Sequence, residues 1–369
     1  MWRGRCAGTA AAMPIGRRLG FAVKVLGDGG LPSHDTRRWQ SDPHLSVSLD
    51  RFDAILGRLV ATDVAMYRHS SDFVPYGSHP EMPWFHGQVR ACARRLARVG
   101  ERIARLGVRL SSHPGQYVVL NSADETVRRN AARDLELHAE LYAAMGLGPE
   151  AVVVLHVGSG APDRRRARER FVRAVDGLSP AARARLVVEN DDRVFGLADV
   201  LAVHEQTGVP VVWDILHHHC HDPDGVPDAE ALRRALATWP EGVVPKIHFS
   251  SPRTAIEERR RRVGRRVERR LVLPPPRAHA DLVDPIAFEQ FLAGAGAGLA
   301  FDVMLEAKGK DLALLRLREQ LLARGMGWSR GRLLDAPAGP QAAASPASAV
   351  AAAASTRAKR AAASGSTPK

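Results

Sequence analysis

Val152-Val-Val-Leu-His156 is a short apolar run that ends in an imidazole. Consecutive branched apolar residues without alternation suit a strand buried on both faces, the pattern of a parallel sheet. Outward from this stretch the design recurs, as Leu110-Ser-Ser-His113 upstream and as Leu186-Val-Val-Glu189, Val211-Val-Trp-Asp214, Lys246-Ile-His248 and Val303-Met-Leu-Glu306 downstream. Strand-like segments at Leu19–Leu26, Val64–His69, Val108–Ser112, Val152–Val157, Leu186–Glu189, Val209–Asp214, Val244–His248 and Phe301–Glu306 count to eight. Between them lie amphipathic stretches such as Val89–Leu106, Asp124–Ala144, Arg164–Val175, Leu197–Glu205 and Ala229–Thr238. This alternation predicts an α/β fold, a (β/α)8 TIM barrel rather than an open sheet. Strands that end in imidazole or carboxylate then place several metal-competent groups on one rim, where such barrels keep their active sites.

The 369 residues accommodate one large barrel domain, expected over 17–335, between a disordered leader at 1–16 and a disordered Ala/Ser/Pro/Lys/Arg tail at 336–369. Met1 to Ile15 carries no acid and lacks a Leu-rich centre, and Met13 is an alternative start. Only three cysteines occur, Cys6, Cys92 and Cys220, too few and too far apart for a disulfide framework, which points to a reducing compartment, the cytoplasm. No run of about eighteen apolar residues predicts a membrane span. The chain is expected to act as a monomer. The net charge of +13 is concentrated: eight arginines against Glu268 between Arg259 and Arg270 supply +7, and the tail supplies +4. A focused cationic stretch beside an acidic metal pocket is what docking of a phosphate backbone requires. The competing explanation is codon bias, since arginine is used far more than lysine.

The groups His113, His156, Glu189, Asp214, His217, His248 and Glu306 combine nitrogen and carboxylate ligands, a set suited to zinc, manganese or iron and unsuited to calcium. Paired ions about 3.5–4 Å apart are commonly bridged by one carboxylate, and Glu189, central in strand order, is the expected bridge. A lone strand-end histidine is more often a hydrogen-bonded core residue or a solvated loop residue, but seven such groups on successive strands are not explained that way. Of the run His217-His-His-Cys-His221 only the first is expected to be a ligand. Lys246, two residues before His248, shares its inward face; a buried lysine there must be paired, neutral or covalently modified, and an ion pair with a ligand carboxylate competes with a role near a scissile phosphate. His113-Pro-Gly-Gln-Tyr117 projects Gln116 and Tyr117 from the rim as a polar tip and an aromatic plate able to wedge into stacked bases, or else forms a turn capped by a packed tyrosine.

Ser78-His-Pro80, Ser111-Ser-His-Pro-Gly-Gln-Tyr117, Leu155-His-Val-Gly158, Val188-Glu-Asn-Asp191, Val212-Trp-Asp-Ile-Leu-His-His218, Pro245-Lys-Ile-His248, Ala278-His-Ala280 and Met304-Leu-Glu-Ala-Lys-Gly309 occur in the order of the UV damage endonucleases of the UvdE type. From about Leu19 to Lys310 the chain resembles that family. The resemblance implies a TIM barrel related to the endonuclease IV class, a cluster of two or three divalent ions, usually manganese, and nicking of damaged double-stranded DNA immediately 5′ of ultraviolet photoproducts. It implies metal roles for His113, His156, Glu189, Asp214, His217, His248, His279 and Glu306, and active-site roles for His79 and Lys246, which with the bridging Glu189 make up the expected catalytic residues; some relatives carry that lysine carboxylated. Gln116 and Tyr117 become the residues that probe damaged bases. Phe21 stands where relatives have tyrosine and is expected to keep a stacking contact with DNA. The arginine stretch at 259–270 and both tails look like additions to the family pattern. Rival readings are an abasic-site nuclease of the endonuclease IV class, from which the His113–Tyr117 string differs; a xylose-isomerase-like sugar isomerase or epimerase, which the arginine stretch and the number of histidines oppose; and a non-catalytic DNA-binding module.

Overall fold

The computed structural model describes residues 15–264 and 266–335. Residues 1–14 of the leader expected over 1–16, and the tail expected over 336–369, lie outside the described residues. Twelve strands occur among those described: β1 (Gly16–Ala22), β2 (Met66–Arg68), β3 (Arg109–Ser112), β4 (Val152–His156), β5 (Leu186–Glu189), β6 (Val211–Val212), β7 (Lys246–Phe249), β8 (Glu257–Val263), β9 (Arg266–Val272), β10 (Asp302–Leu305), β11 (Gly327–Ser329) and β12 (Arg332–Leu334). The helices are α1 (Leu45–Ala61), α2 (Gln88–Ala91), α3 (Ala93–Leu106), α4 (Glu125–Ala144), α5 (Arg164–Asp176), α6 (Pro180–Arg183), α7 (Leu197–Thr207), α8 (Ile215–Cys220), α9 (Asp228–Leu236), α10 (Pro285–Ala293) and α11 (Lys310–Ala323).

Strands β1 to β6 pair in parallel in chain order, β7 pairs with β10, and β10 returns to β1. The barrel closes between β6 and β7 through one parallel bridge, Asp214 to His248, in which the His248 N–H donates to the Trp213 carbonyl at 3.0 Å. The eight-stranded barrel read from the sequence is therefore present. Its seam runs through two of the expected ligands.

Period two then sorts every strand. Val153, Leu155, Val188, Trp213, Ile247 and Val303 belong to the main core under the helices. Their neighbours Val152, Val154, Val187 and Val212, together with Trp239, form a separate cluster, and Ala22, Met66 and Met304 form another. These two clusters fill the barrel bore. The bore is narrow at Gly20, where an added Cβ would lie 2.7 Å from Met66 Cγ. At the floor Arg109 pairs with Asp302 at 3.0 Å, both side chains fully buried, and Asp302 also accepts the Arg18 N–H at 2.8 Å. Continuing the same inward phase upward brings out Arg68, His113, His156, Glu189, Asp214, His248 and Glu306 as one layer at the C-terminal mouth.

Several boundaries differ from the sequence reading. The first strand begins at Gly16, inside the expected leader, because β12 pairs with it antiparallel, and it ends at Ala22, where Val23 turns to φ +66°. The sixth strand shrinks to two residues. Pro210 lacks a ladder donor, and Asp214 leaves the strand to cap α8, accepting the His217 N–H at 2.8 Å. The arginine stretch has secondary structure of its own. It is an exposed antiparallel ribbon, β8 with β9, turned by Gly264 at φ +63°.

Candidate metal centre

Glu189, at the end of β5, is fully buried and surrounded by imidazoles. Its Oε2 lies 3.0 Å from His113 Nε2 and 3.8 Å from His156 Nε2. Its Oε1 lies 2.9 Å from His248 Nδ1 and 3.4 Å from His217 Nδ1. Each carboxylate oxygen thus faces its own pair of rings. Burial alone would raise the Glu189 pKa, but the imidazoles of His248, His156, His113 and His217 outweigh it and hold the carboxyl well below the usual range. Burial likewise works against a charged His217, yet Asp214, Glu189 and Glu306 push that ring up to about 11.

The ligand-type atoms fall into three trios, each within 4.8 Å: His113, His156 and Glu189; Glu189, Asp214 and His217; and Asp214, His248 and Glu306. Glu189 joins the first two and Asp214 the last two. His279 approaches from the loop after β9, with its Nδ1 2.7 Å from the Glu306 carbonyl and 3.8 Å from Glu306 Oε2. Its ring centroid is 6.0 Å from that of His217. All eight residues expected as ligands are therefore brought together. The set fits divalent cations on two counts beyond donor chemistry. Asp214 Oδ2, His156 Nδ1 and His248 Nε2 are buried without a hydrogen-bond partner among the described residues, and such groups are costly unless something engages them. In addition, two carboxylates are shared between neighbouring trios, as multinuclear sites require.

Sequence reasoning missed two supporting residues. Arg68, at the end of β2, ion-pairs with Glu306 and helps hold its carboxyl well below the usual range against the effect of burial. The strand was expected to run to His69, but His69 has the opposite phase and is buried among the helices, its Nε2 2.8 Å from the Tyr142 hydroxyl. Asn190 is the second. Its Nδ2 donates to the Asp214 carbonyl at 3.0 Å, its Oδ1 accepts the Asp214 N–H at 2.9 Å, and its carbonyl lies 3.0 Å from His217 Nδ1. A polar residue directly after the expected bridging carboxylate was the available signal.

Lys246 lies one layer below the ligands, fully buried, with Nζ unpartnered among the described residues. Burial, with Arg109 and Arg68 adding to it, pushes its amine well below the ordinary lysine value. The structure does not form the expected ion pair between this amine and a ligand carboxylate. In the histidine run after Asp214, two rings beyond His217 turn elsewhere: His218 Nε2 lies 2.8 Å from the Val226 carbonyl, and His219 pairs with Asp228 at 3.0 Å.

Tyr117 is 60% exposed rather than packed, and its hydroxyl donates to Asp72 at 3.1 Å. Gly115 makes room for the ring, since a Cβ there would lie 2.6 Å from Tyr117 Cε1. Gln116 beside it is exposed. Tyr117 borders a cavity of about 640 Å³ lined also by His34, Asp72, Tyr76, His79 and Asp134. The structure thus places His79 on this cavity wall, its ring 6.2 Å from that of Tyr76, and not among the ligand trios. Phe21 requires a correction. It is 1% exposed and packs edge-on against Tyr67 at 5.4 Å, because its strand phase turns it to the helical layer while Gly20 and Ala22 face the bore. It offers DNA no surface.

The family described as UV-endonuclease UvdE matches residues 53–326. This chain belongs to the UV-endonuclease UvdE family. Among UvdE relatives, the UV DNA damage endonuclease of Bacillus pumilus (strain SAFR-032) is 34% identical over 266 residues, covering 72% of this chain and 77% of its own. The UV DNA damage endonuclease of Bacillus velezensis is 31% identical over 271 residues, with 72% and 77% covered. The crystal structure of SacUVDE superposes with a TM-score of 0.70 at 29% identity, covering 84% of this chain and 99% of that one. The barrel is thus that of a UvdE nuclease, and no described helix is long and apolar enough to cross a membrane.

Proposed function

We propose that this chain nicks duplex DNA immediately 5′ of ultraviolet photoproducts, with two or three divalent ions, manganese by the family resemblance, held by His113, His156, Glu189, Asp214, His217, His248, His279 and Glu306. The observation that carries the reading is Glu189, whose two oxygens each face a separate pair of imidazoles at the head of a chain of three ligand trios. When bound, the ions would supply Lewis-acid stabilisation of phosphoryl charge and a lowered pKa for water.

The protein's own residues do the positioning. Asn190 clamps the Asp214 backbone and faces the His217 ring, and Arg68 fixes Glu306, so that three ligands are set before substrate arrives. Lys246 and the bore valines close the site from below and exclude water on that side. Above, the exposed Gln116 and Tyr117 would probe base stacking as a polar tip and an aromatic plate. A photoproduct weakens stacking and pairing, so extruding it costs less than extruding an intact pair. The Tyr117 cavity, with His79 on its wall, is large enough to receive such a base.

Duplexes bearing one defined lesion, either a photoproduct or an abasic site, incubated with manganese, magnesium or chelator, test the reading by mapping of the cut. A single nick directly 5′ of the photoproduct, lost on chelation, is expected. Cutting only at the abasic site would reassign the chain to that chemistry, and no cut at either would refute the proposal.

A further inference from the structure

The β8–β9 ribbon has no role in the barrel. Apart from its two ends, every described residue of both strands is exposed. Cross-strand register sets Arg259 against Arg270 and Arg260 against Arg269, and like charges directly opposite destabilise a ribbon. A two-stranded ribbon that packs on nothing is marginal in water to begin with. The acids present offset part of this charge: Arg259 pairs with Glu257 at 3.5 Å, and Arg260 and Arg269 reach Glu258 at 2.8 and 3.9 Å. Arg261, Arg262, Arg266 and Arg270 make no ion pair among the described residues.

By strand alternation one face carries Arg259, Arg261, Arg266 and Arg270, and the other carries Arg260, Arg262 and Arg269. A flat anionic surface would meet only one face. A duplex groove walled by two phosphate strands meets both, and its width admits a two-stranded ribbon. The root of the ribbon fixes where that groove must be. Pro252 bridges to His279, the Arg253 N–H donates to the Ala278 carbonyl at 2.6 Å, and the Ala280 N–H donates to the Ser251 carbonyl at 2.9 Å. The ribbon therefore springs from the segment that brings His279 to the metal centre.

From this geometry we infer that β8–β9 is a DNA-gripping arm that lies along duplex flanking the cut and contacts the phosphates of both strands. The inference rests on the nuclease reading of the site. Seven residues at about 3.3 Å each give a reach of roughly 23 Å, or about seven base pairs beyond the catalytic mouth. Phosphate contacts would relieve the cross-strand repulsion, so the ribbon becomes more ordered when bound.

The test uses the full chain, a variant with R261Q, R262Q, R266Q and R270Q, and a second with lysine at the same four positions. Binding to a lesion duplex with long flanks, and to duplexes shortened on either side, is measured across salt concentrations beside nicking at saturating DNA. The glutamine variant should show a log–log salt slope reduced by about 0.9 for each phosphate no longer neutralised, up to roughly 3.6. It should retain its nicking rate at saturation, and the lysine variant should retain the slope. Shortening one flank, and not the other, should erase the difference between wild type and the glutamine variant. An unchanged slope, an equal effect with either flank removed, or a weakening seen only with a single-stranded RNA of matched charge would overturn the arm. Failure of the wild type to nick any lesion duplex would instead remove the nuclease reading, whatever the slopes show.

Discussion

Glu189 concentrates the chemistry of the site because it is a fully buried carboxylate and the one faced by the most rings. Glu189→Gln keeps the shape and removes the charge; loss of several kcal/mol of transition-state stabilisation should lower kcat on the order of 10³-fold, while the metal-free protein keeps its secondary structure but unfolds at a lower temperature than wild type, since the imidazoles around it lose their counter-charge. Arg68 acts through Glu306, so Arg68→Met should weaken metal binding about 10- to 100-fold, read by competition with a chelating dye. His69 offers a pH test away from the centre. Its burial, with His138 adding, lowers its pKa from 6.5 to about 3. Below pH 6.5 the unfolded chain takes a proton that the folded ring refuses, so stability is lost as pH falls from 6.5 towards about 3, by about 1.4 kcal/mol per pH unit. Denaturant unfolding of His69→Asn should show a flatter acid limb than wild type; equal slopes would mean that another group carries it.

At the scale of elements, two helix glycines separate backbone strain from packing. Gly100 of α3 faces the end of the next helix, where an added Cβ would meet the Met145 carbonyl at 1.6 Å, so Gly100→Ala should cost about 3 kcal/mol or more in denaturant unfolding. Gly57 of α1 has open space at the same position, and Gly57→Ala should stabilise by about 0.5–1 kcal/mol. Strands were legible because each interior run ended in a ligand-type residue, and the two-residue period carried that residue inward. What failed was phase. The apolar run around Phe21 is continuous on both faces, so composition alone could not say that Gly20 faces the bore and Phe21 the helices. The same ambiguity hid Arg68 behind the more suggestive His69. The ribbon was missed because an arginine stretch has neither apolar alternation nor strong strand propensity, and only the Val263-Gly264 turn hinted at a hairpin.

For the whole molecule, the barrel is a device for convergence. Strand-end ligands far apart in the chain, from His113 to Glu306, meet because each sits one step above a filled bore, and the seam between Asp214 and His248 closes at the ligands themselves. The site was legible from sequence to this extent: the strand-end ligands followed from periodicity, whereas His279 and His79 came only from the family resemblance, since both lie on loops. His279 joins the centre and His79 stands apart from it, on the wall beside Tyr117. The central claim is that these side chains jointly hold several cations. Elemental analysis of purified, catalytically active protein, beside Glu189→Gln prepared identically, tests it most directly. Two or three divalent transition ions per chain are predicted for the wild type, with at least one lost in the variant; active protein free of such ions, or a variant that retains the full complement, would contradict it.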